Sequence, residues 1–239
     1  MENEIWKVDP ATGTYTVYDG LDGASDGRLD SSGYLWWSNF DEGQLGRLIP
    51  GAAQATLWSL PPDSNPLGIT FDDNGHVWVA DGFEPFLYRF DPSSKELCTY
   101  TVPDSDPIFD GASDYILYHN GQIWIGDLEL GRILRLNPAT NTFTIWKLAG
   151  DALPEGLAID NNGHLWWADN WLSELGRLDS HSNPNKITSY VIPSTGIDPA
   201  PIQVAVQNGK VWYTDETGHV GSLDPAVANG TTVNVSPSK

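Results

Sequence analysis

Along this chain one short phrase of alternating apolar and polar positions returns five times, each time around a tryptophan. It reads YLWWSN at 34–39, HVWVAD at 76–81, QIWIGD at 122–127, HLWWAD at 164–169 and KVWYTD at 210–215. The first tryptophans, Trp36, Trp78, Trp124, Trp166 and Trp212, follow one another at 42, 46, 42 and 46 residues. A period-2 run of this kind marks a half-buried strand. The interval is too long for one hairpin and suits a unit of four strands.

The unit at 65–102 shows the order: NPLGITFD, a DDNG turn, HVWVAD, a loop, FLYRFD, a PSSK turn, then ELCTYTV. Four β-rich runs between turn residues predict an antiparallel meander, with strands a, b, c and d. The a–b connections DSSG (30–33), DDNG (72–75), HNG (119–121), DNNG (160–163) and QNG (207–209) end in Gly, as hairpins needing positive φ require. The c–d connections DPATG (9–13), DPSSK (91–95) and NPATN (137–141) place Pro where its fixed φ is already correct.

One meander cannot cover both of its faces, whereas meanders set radially cover one another. The expected fold is therefore all-β: a β-propeller of four-stranded antiparallel blades in a single domain, 1–239. The N-terminal EIWKVDP matches strand c, so 1–20 is expected to be a half blade, with full blades at 22–60, 65–102, 110–147, 153–192 and 198–235. That makes about six blades, the first lacking strands a and b. Its open edge invites completion by another copy or a partner strand. The tryptophans are expected between blades.

Composition narrows the function. With 32 acidic residues against 12 Lys plus Arg, the net charge is −20, which repels nucleic acid and anionic membranes. A single cysteine, Cys98, excludes an internal disulfide and Cys-rich metal motifs. No apolar run reaches the ~18 residues of a membrane span, and the N-terminus lacks a leader pattern. The expectation is a soluble protein, cytoplasmic or exported with its leader removed. No motif for an organic cofactor is present.

Candidate chemistry gathers at the rim where strands b end and strands a begin. Strand b ends in Asn39, Asp81, Asp127, Asp169 and Asp215, and strand a opens with Asp26, Asp114 and Glu155. If they converge, Asp81, Asp127, Asp169 and Asp215 make an oxygen-rich site for Ca²⁺ or Mg²⁺. If each instead accepts hydrogen bonds from its own b–c loop, they are turn caps. Loop residues Phe40, Phe83, Phe86 and Trp171, with Glu84, Glu129, Glu174 and Glu216, could hold a small molecule or carbohydrate, or pack over the strands. His219 is the histidine nearest this rim and the candidate general base, with Glu155 as a second catalytic candidate. His76 and His164 fall on the opposite, turn-side rim.

Segments such as PEGLAIDNNGHLWWAD followed by LGRLD (154–179), NPLGITFDDNGHVWVAD (65–81) and GRILRLNPATNTFTIW (131–146) resemble repeats of the streptogramin B lyase (virginiamycin B lyase-like) propellers. More distantly they are similar to NHL-repeat and SMP-30/gluconolactonase-like propellers. The resemblance implies a Mg²⁺-dependent elimination that opens a cyclic depsipeptide at its ester, with a histidine base near the start of a strand a and glutamates around the metal. The matching strand-a positions here are Ser25, Leu67, Ser113, Glu155 and Pro201, none of them histidine, and Glu155 with Asp169 is the nearest carboxylate pair. The expectation is a ligand-binding or scaffold propeller with a cation site at the axial rim. The alternatives are a metal-dependent lyase or lactone hydrolase, and an assembly module.

Overall fold

The computed structural model describes residues 4–19, 23–49, 54–103, 115–194 and 198–238. Every element in it is a strand. A hairpin of β1 (Glu4–Val8) and β2 (Tyr15–Asp19) comes first. Blade 1 follows as β3 (Ala24–Leu29), β4 (Leu35–Asn39), β5 (Gln44–Leu48) and β6 (Thr56–Ser59). Blade 2 is β7 (Pro66–Phe71), β8 (Val77–Asp81), β9 (Phe86–Phe90) and β10 (Leu97–Thr101). Blade 3 is β11 (Tyr115–His119), β12 (Gln122–Asp127), β13 (Arg132–Asn137) and β14 (Thr142–Lys147). Blade 4 contains β15 (Pro154–Ile159), β16 (Leu165–Asp169), β17 (Glu174–Asp179) and β18 (Asn185–Val191). Blade 5 contains β19 (Pro201–Gln207), β20 (Lys210–Asp215) and β21 (Val220–Leu223), and β22 (Thr231–Val235) ends the series.

The all-β propeller is as expected, but the count of six is not matched: the structure has five blades. The N-terminal hairpin stays a separate two-stranded sheet, with Tyr18 packed on Trp37 of blade 1. The stretch 198–235 also divides. Its last strand, β22, leaves blade 5 three-stranded and pairs antiparallel with β18 as a fifth strand of blade 4. Beyond it, Ser238 bridges to Ile145 of blade 3, so the C-terminal segment straps two blades.

Period-2 alternation puts the first tryptophan of each strand b on one face of its blade and the next residue on the other. Thus Trp36 packs into the core shared with Ile69 and Val79 of blade 2, and Trp78 into that shared with Ile116 and Ile125 of blade 3. Trp124 meets Trp167 of blade 4, and Trp166 meets Val204 of blade 5. Each buried indole contributes roughly 5 kcal/mol by area transfer, as an upper bound. Trp212 meets no following blade among the described residues and is 41% exposed, contrary to the expectation that it packs between blades. The turn aspartates explain the recurrent D-x-x-G-x-x-W: Asp30, Asp72 and Asp160 cap their own a–b turns and accept the indole N–H of Trp36, Trp78 and Trp166 at 2.9, 3.0 and 3.1 Å.

Large side chains on strand b are matched by small ones across the pair. Trp37 lies opposite Gly46, Trp167 opposite Gly176 and Tyr213 opposite Gly221. A Cβ on Gly176 would stand 2.0 Å from Trp167 Cε2, so the indole lies on bare backbone.

Candidate functional site

The innermost strands β3, β7, β11, β15 and β19 pack side by side around an axis. In four of them the start is irregular: register shifts fall at Ala24/Gly27, Pro66/Ile69, Glu155/Leu157 and Pro201/Gln203. A bulge re-aims the side chains beside it. Here the bulges surround an open axial cavity of about 520 Å³, lined by Ser25, Asp26, Gly27, Arg28, Leu67, Tyr115 and Gln203.

Ser38 of β4 locks the first bulge, accepting a hydrogen bond from Asp26 N at 3.0 Å and donating to Leu67 O of blade 2. Asp26 Oδ2 accepts the Ile69 amide at 3.0 Å, tying blade 1 to blade 2, and lies 3.5 Å from Arg28 Nε. Both members of that ion pair are more than a third exposed, so it adds little to stability and its charges remain available to a ligand. Across the cavity Tyr115 Oη donates to Glu155 Oε2 at 3.3 Å. The cavity thus offers a cation, a carboxylate, a phenol and an amide around the apolar Leu67. Arg28, Tyr115 and Gln203 were not among the residues expected from sequence. The one available signal was Arg28 two residues after Asp26, on the same strand face.

The strand-b carboxylates do not gather there. Asp81 accepts Phe83 N and Glu84 N at Oδ1, and Asn65 N and the Tyr88 hydroxyl at Oδ2. That phenol is itself held by Ser64 Oγ, and burial pushes its pKa up. Asp127 accepts Leu130 N at Oδ1 and forms a buried ion pair with Arg132, Nε to Oδ2 2.6 Å. Asp169 accepts Leu153 N and Leu172 N, and burial raises its carboxyl above the usual range. Asp215 accepts Thr217 N, the Thr217 hydroxyl and His219 N; the hydroxyl chiefly holds its carboxyl below that range. Each serves its own b–c loop, as turn-capping aspartates do. Among the described residues no three His, Cys, Asp or Glu side chains come together as a metal-ligand set, and these four carboxylates are each engaged in their own loops. Asp114 and Ser113 lie outside the described residues.

Glu155 accepts a hydrogen bond from Tyr115, and Asp169 is buried in the crevice toward blade 3. His219 is 75% exposed in its side chain, with Nδ1 2.6 Å from Thr217 Oγ1, and does not line the axial cavity. His76 and His164 pair through Nδ1 with Asp72 and Asp160 at 2.8 and 2.9 Å on the turn-side rim. Of the mouth residues, Phe40 and Phe83 meet edge to face at 5.4 Å. On the other side Trp171 is exposed, and Glu216 accepts a hydrogen bond from Asn170 Nδ2 at 3.2 Å, joining the loops of blades 4 and 5. No helix is long and apolar enough to cross a membrane among the described residues.

The solved structures with similar folds include lyases. A catalytically inactive histidine-to-alanine variant of virginiamycin B lyase from Staphylococcus aureus, with quinupristin, superposes with a TM-score of 0.83 at 20% identity, covering 98% of this chain and 78% of that one. A streptogramin B lyase structure gives 0.82 at 21% identity, covering 98% and 77%. A chain of the nidogen/laminin complex gives 0.69 at 16%, covering 98% and 90%. At these identities the likeness is one of fold. No curated protein matches the chain. The sequence model described as the virginiamycin B lyase family matches residues 5–233, nearly the whole chain. The chain belongs to the virginiamycin B lyase family.

Proposed function

We propose that the chain is a ligand-binding propeller of the lyase fold, taking a small polar molecule into the axial cavity without opening an ester. The observation that carries this reading is the cavity's own donor set. Arg28, Tyr115, Gln203 and Ser25 suit a carboxylate-, amide- or hydroxyl-rich ligand, and no histidine stands among the lining residues. An exposed ion pair rearranges around such a ligand at low cost.

A metal-dependent lyase or lactone hydrolase needs a ligand set and a base that the described rim does not assemble. Recognition is therefore assigned to the side chains themselves. Quinupristin, present with the S. aureus relative, is the first probe. Calorimetry with the protein is expected to give saturable binding, and quinupristin incubated with protein and Mg²⁺ is expected to keep its chromatographic retention. Retention is the readout because an elimination leaves the mass unchanged. Absence of binding sinks the reading; an opened product, or a melting temperature raised by Mg²⁺ or Ca²⁺, hands the site to the metal enzyme.

A second reading, an assembly module, is favoured by one observation: the face of blade 5 where Trp212 and Val220 stand exposed beside the edge of β21, which pairs with no further strand among the described residues. Its occupant would be a second copy of this chain. Light scattering across a concentration range tests it, and a monomer throughout would remove it.

A further inference from the structure

The interfaces inside the chain show what the exposed face of blade 5 matches. At each one, the first tryptophan of strand b meets a residue at one fixed register near the end of the next blade's strand a. Trp36 meets Phe71 edge to face at 6.5 Å. Trp78 shares a buried cluster with Tyr118, Trp124 with Ile159 and Trp166 with Val206. Those four partners stand opposite Val77, Ile123, Leu165 and Val211 of their own strands b. Every such contact joins unlike faces, the tryptophan-bearing side of one blade and the other side of the blade that follows.

Both halves of this repeated contact occur once more, and both are open. Leu29, opposite Leu35, holds the same register in blade 1 and is 63% exposed. The N-terminal hairpin covers Trp37 on that side through Tyr18 and leaves Leu29 bare. Trp212 of blade 5 is 41% exposed, where Trp36, Trp78, Trp124 and Trp166 are at most 4%. On the Trp212 side Val220 is 69% exposed, whereas its counterparts Leu45, Leu87, Ile133 and Leu175 are fully covered. Core residue types thus persist at positions that meet solvent. Within one chain the two sides do not cover each other: β3 packs on β7 and β19 on β15, and Leu29 and Trp212 both stay open.

We propose that copies of the chain associate head to tail, the Trp212 side of blade 5 in one docking on the Leu29 side of blade 1 in the next. Trp212 takes Leu29 as Trp36 takes Phe71. This rests on the assembly reading above and adds which surfaces meet. A contact between unlike faces is heterologous, so it continues from copy to copy unless the rotation closes a ring. Pairing of blade 5 with blade 5 would instead set like against like and leave Leu29 unused. Each copy carries a net charge of −20, so repulsion opposes the contact and added salt strengthens it.

Light scattering of single and mixed variants of the whole chain at high ionic strength tests this. The parent is expected to gain mass with concentration. Trp212→Lys and Leu29→Lys, both at exposed positions, are each expected to stay monomeric with a melting temperature close to the parent's. Val220→Lys repeats the blade 5 lesion at a more open site and is expected to behave as Trp212→Lys does. Mixed one to one, Trp212→Lys and Leu29→Lys are expected to form a heterodimer and nothing larger, since each keeps the face that the other has lost. The head-to-tail contact is overturned if Leu29→Lys alone associates as the parent does, or if the mixture stays monomeric while the parent associates. Either result leaves the assembly reading standing. A parent that stays monomeric throughout removes both.

Discussion

Replacing Gly176 by alanine isolates the fit between indole and bare backbone in blade 4. The added Cβ would lie 2.0 Å from Trp167 Cε2 and 2.1 Å from Cζ2. Ordinary carbon contact is about 3.5 Å, so the ring must retreat by roughly 1.5 Å. Its retreat is blocked by Trp124, Leu148 and Leu165 of the same buried cluster, leaving only the crevice side open. Overpacking of this kind costs about 1–3 kcal/mol, and the rigid surroundings place it toward the upper end. Alanine's advantage over glycine within a strand returns about 0.5–1 kcal/mol. The net loss is about 2 kcal/mol, or about 4–8 °C in melting temperature for a chain of this size. Urea unfolding of the variant measures it. The partner substitution gives the sharper check: Trp167→Ile with Gly176→Leu reproduces the blade 3 pair Ile125 and Leu134. That double variant is expected to lose less than the sum of its two single changes. Gly221→Ala, opposite the partly exposed ring tip of Tyr213, is expected to cost less than Gly176→Ala. A Gly176→Ala protein within about 0.5 kcal/mol of the parent, with additive double changes, would refute the packing argument.

Arg132→Met leaves Asp127 charged and buried, and is expected to cost about 3–5 kcal/mol. The double change Asp127→Asn with Arg132→Met should recover part of this in thermal melts. Asp160→Asn is expected to cost about 1–2 kcal/mol near neutral pH, through weaker bonds to His164 and Trp166. Burial pushes the Asp160 carboxyl up, but the bonds from Trp166 and His164 outweigh it and leave the pKa below the usual 3.8. A carboxyl depressed in the fold stabilises above its unfolded value and loses that contribution as pH falls through the folded one. The gap between parent and variant should therefore be full above about pH 4 and close at lower pH, as urea midpoints across an acid series would show.

The strands and their meander order were legible because the signals are local: a turn glycine, a proline, an apolar alternation. The matching of Trp37 and Trp167 to Gly46 and Gly176 was also there to be read, in the recurrent LGRL of strand c. The place of β22 was not, because DPAVANGTTVNV reads like every other c–d hairpin while its partner β18 is chosen by competition between distant edges. The blade count failed for a related reason, since a half blade in sequence carries no information on what its edge meets. At the rim, sequence named Asp26 and Glu155 at the starts of strands a, of which in the structure Asp26 lines the axial cavity and Glu155 accepts from Tyr115. It could not show that Asp81, Asp127, Asp169 and Asp215 turn back into their own loops while bulges swing Arg28 and Gln203 toward the axis. A bulge is one residue of register, and nothing in composition announces it.

Which residues at the axial rim meet a ligand is tested most directly by parallel quinupristin titrations of Arg28→Leu and Asp81→Asn. The prediction is binding weakened about ten-fold or more in the first variant and unchanged in the second. Binding lost with Asp81→Asn and kept with Arg28→Leu would contradict it.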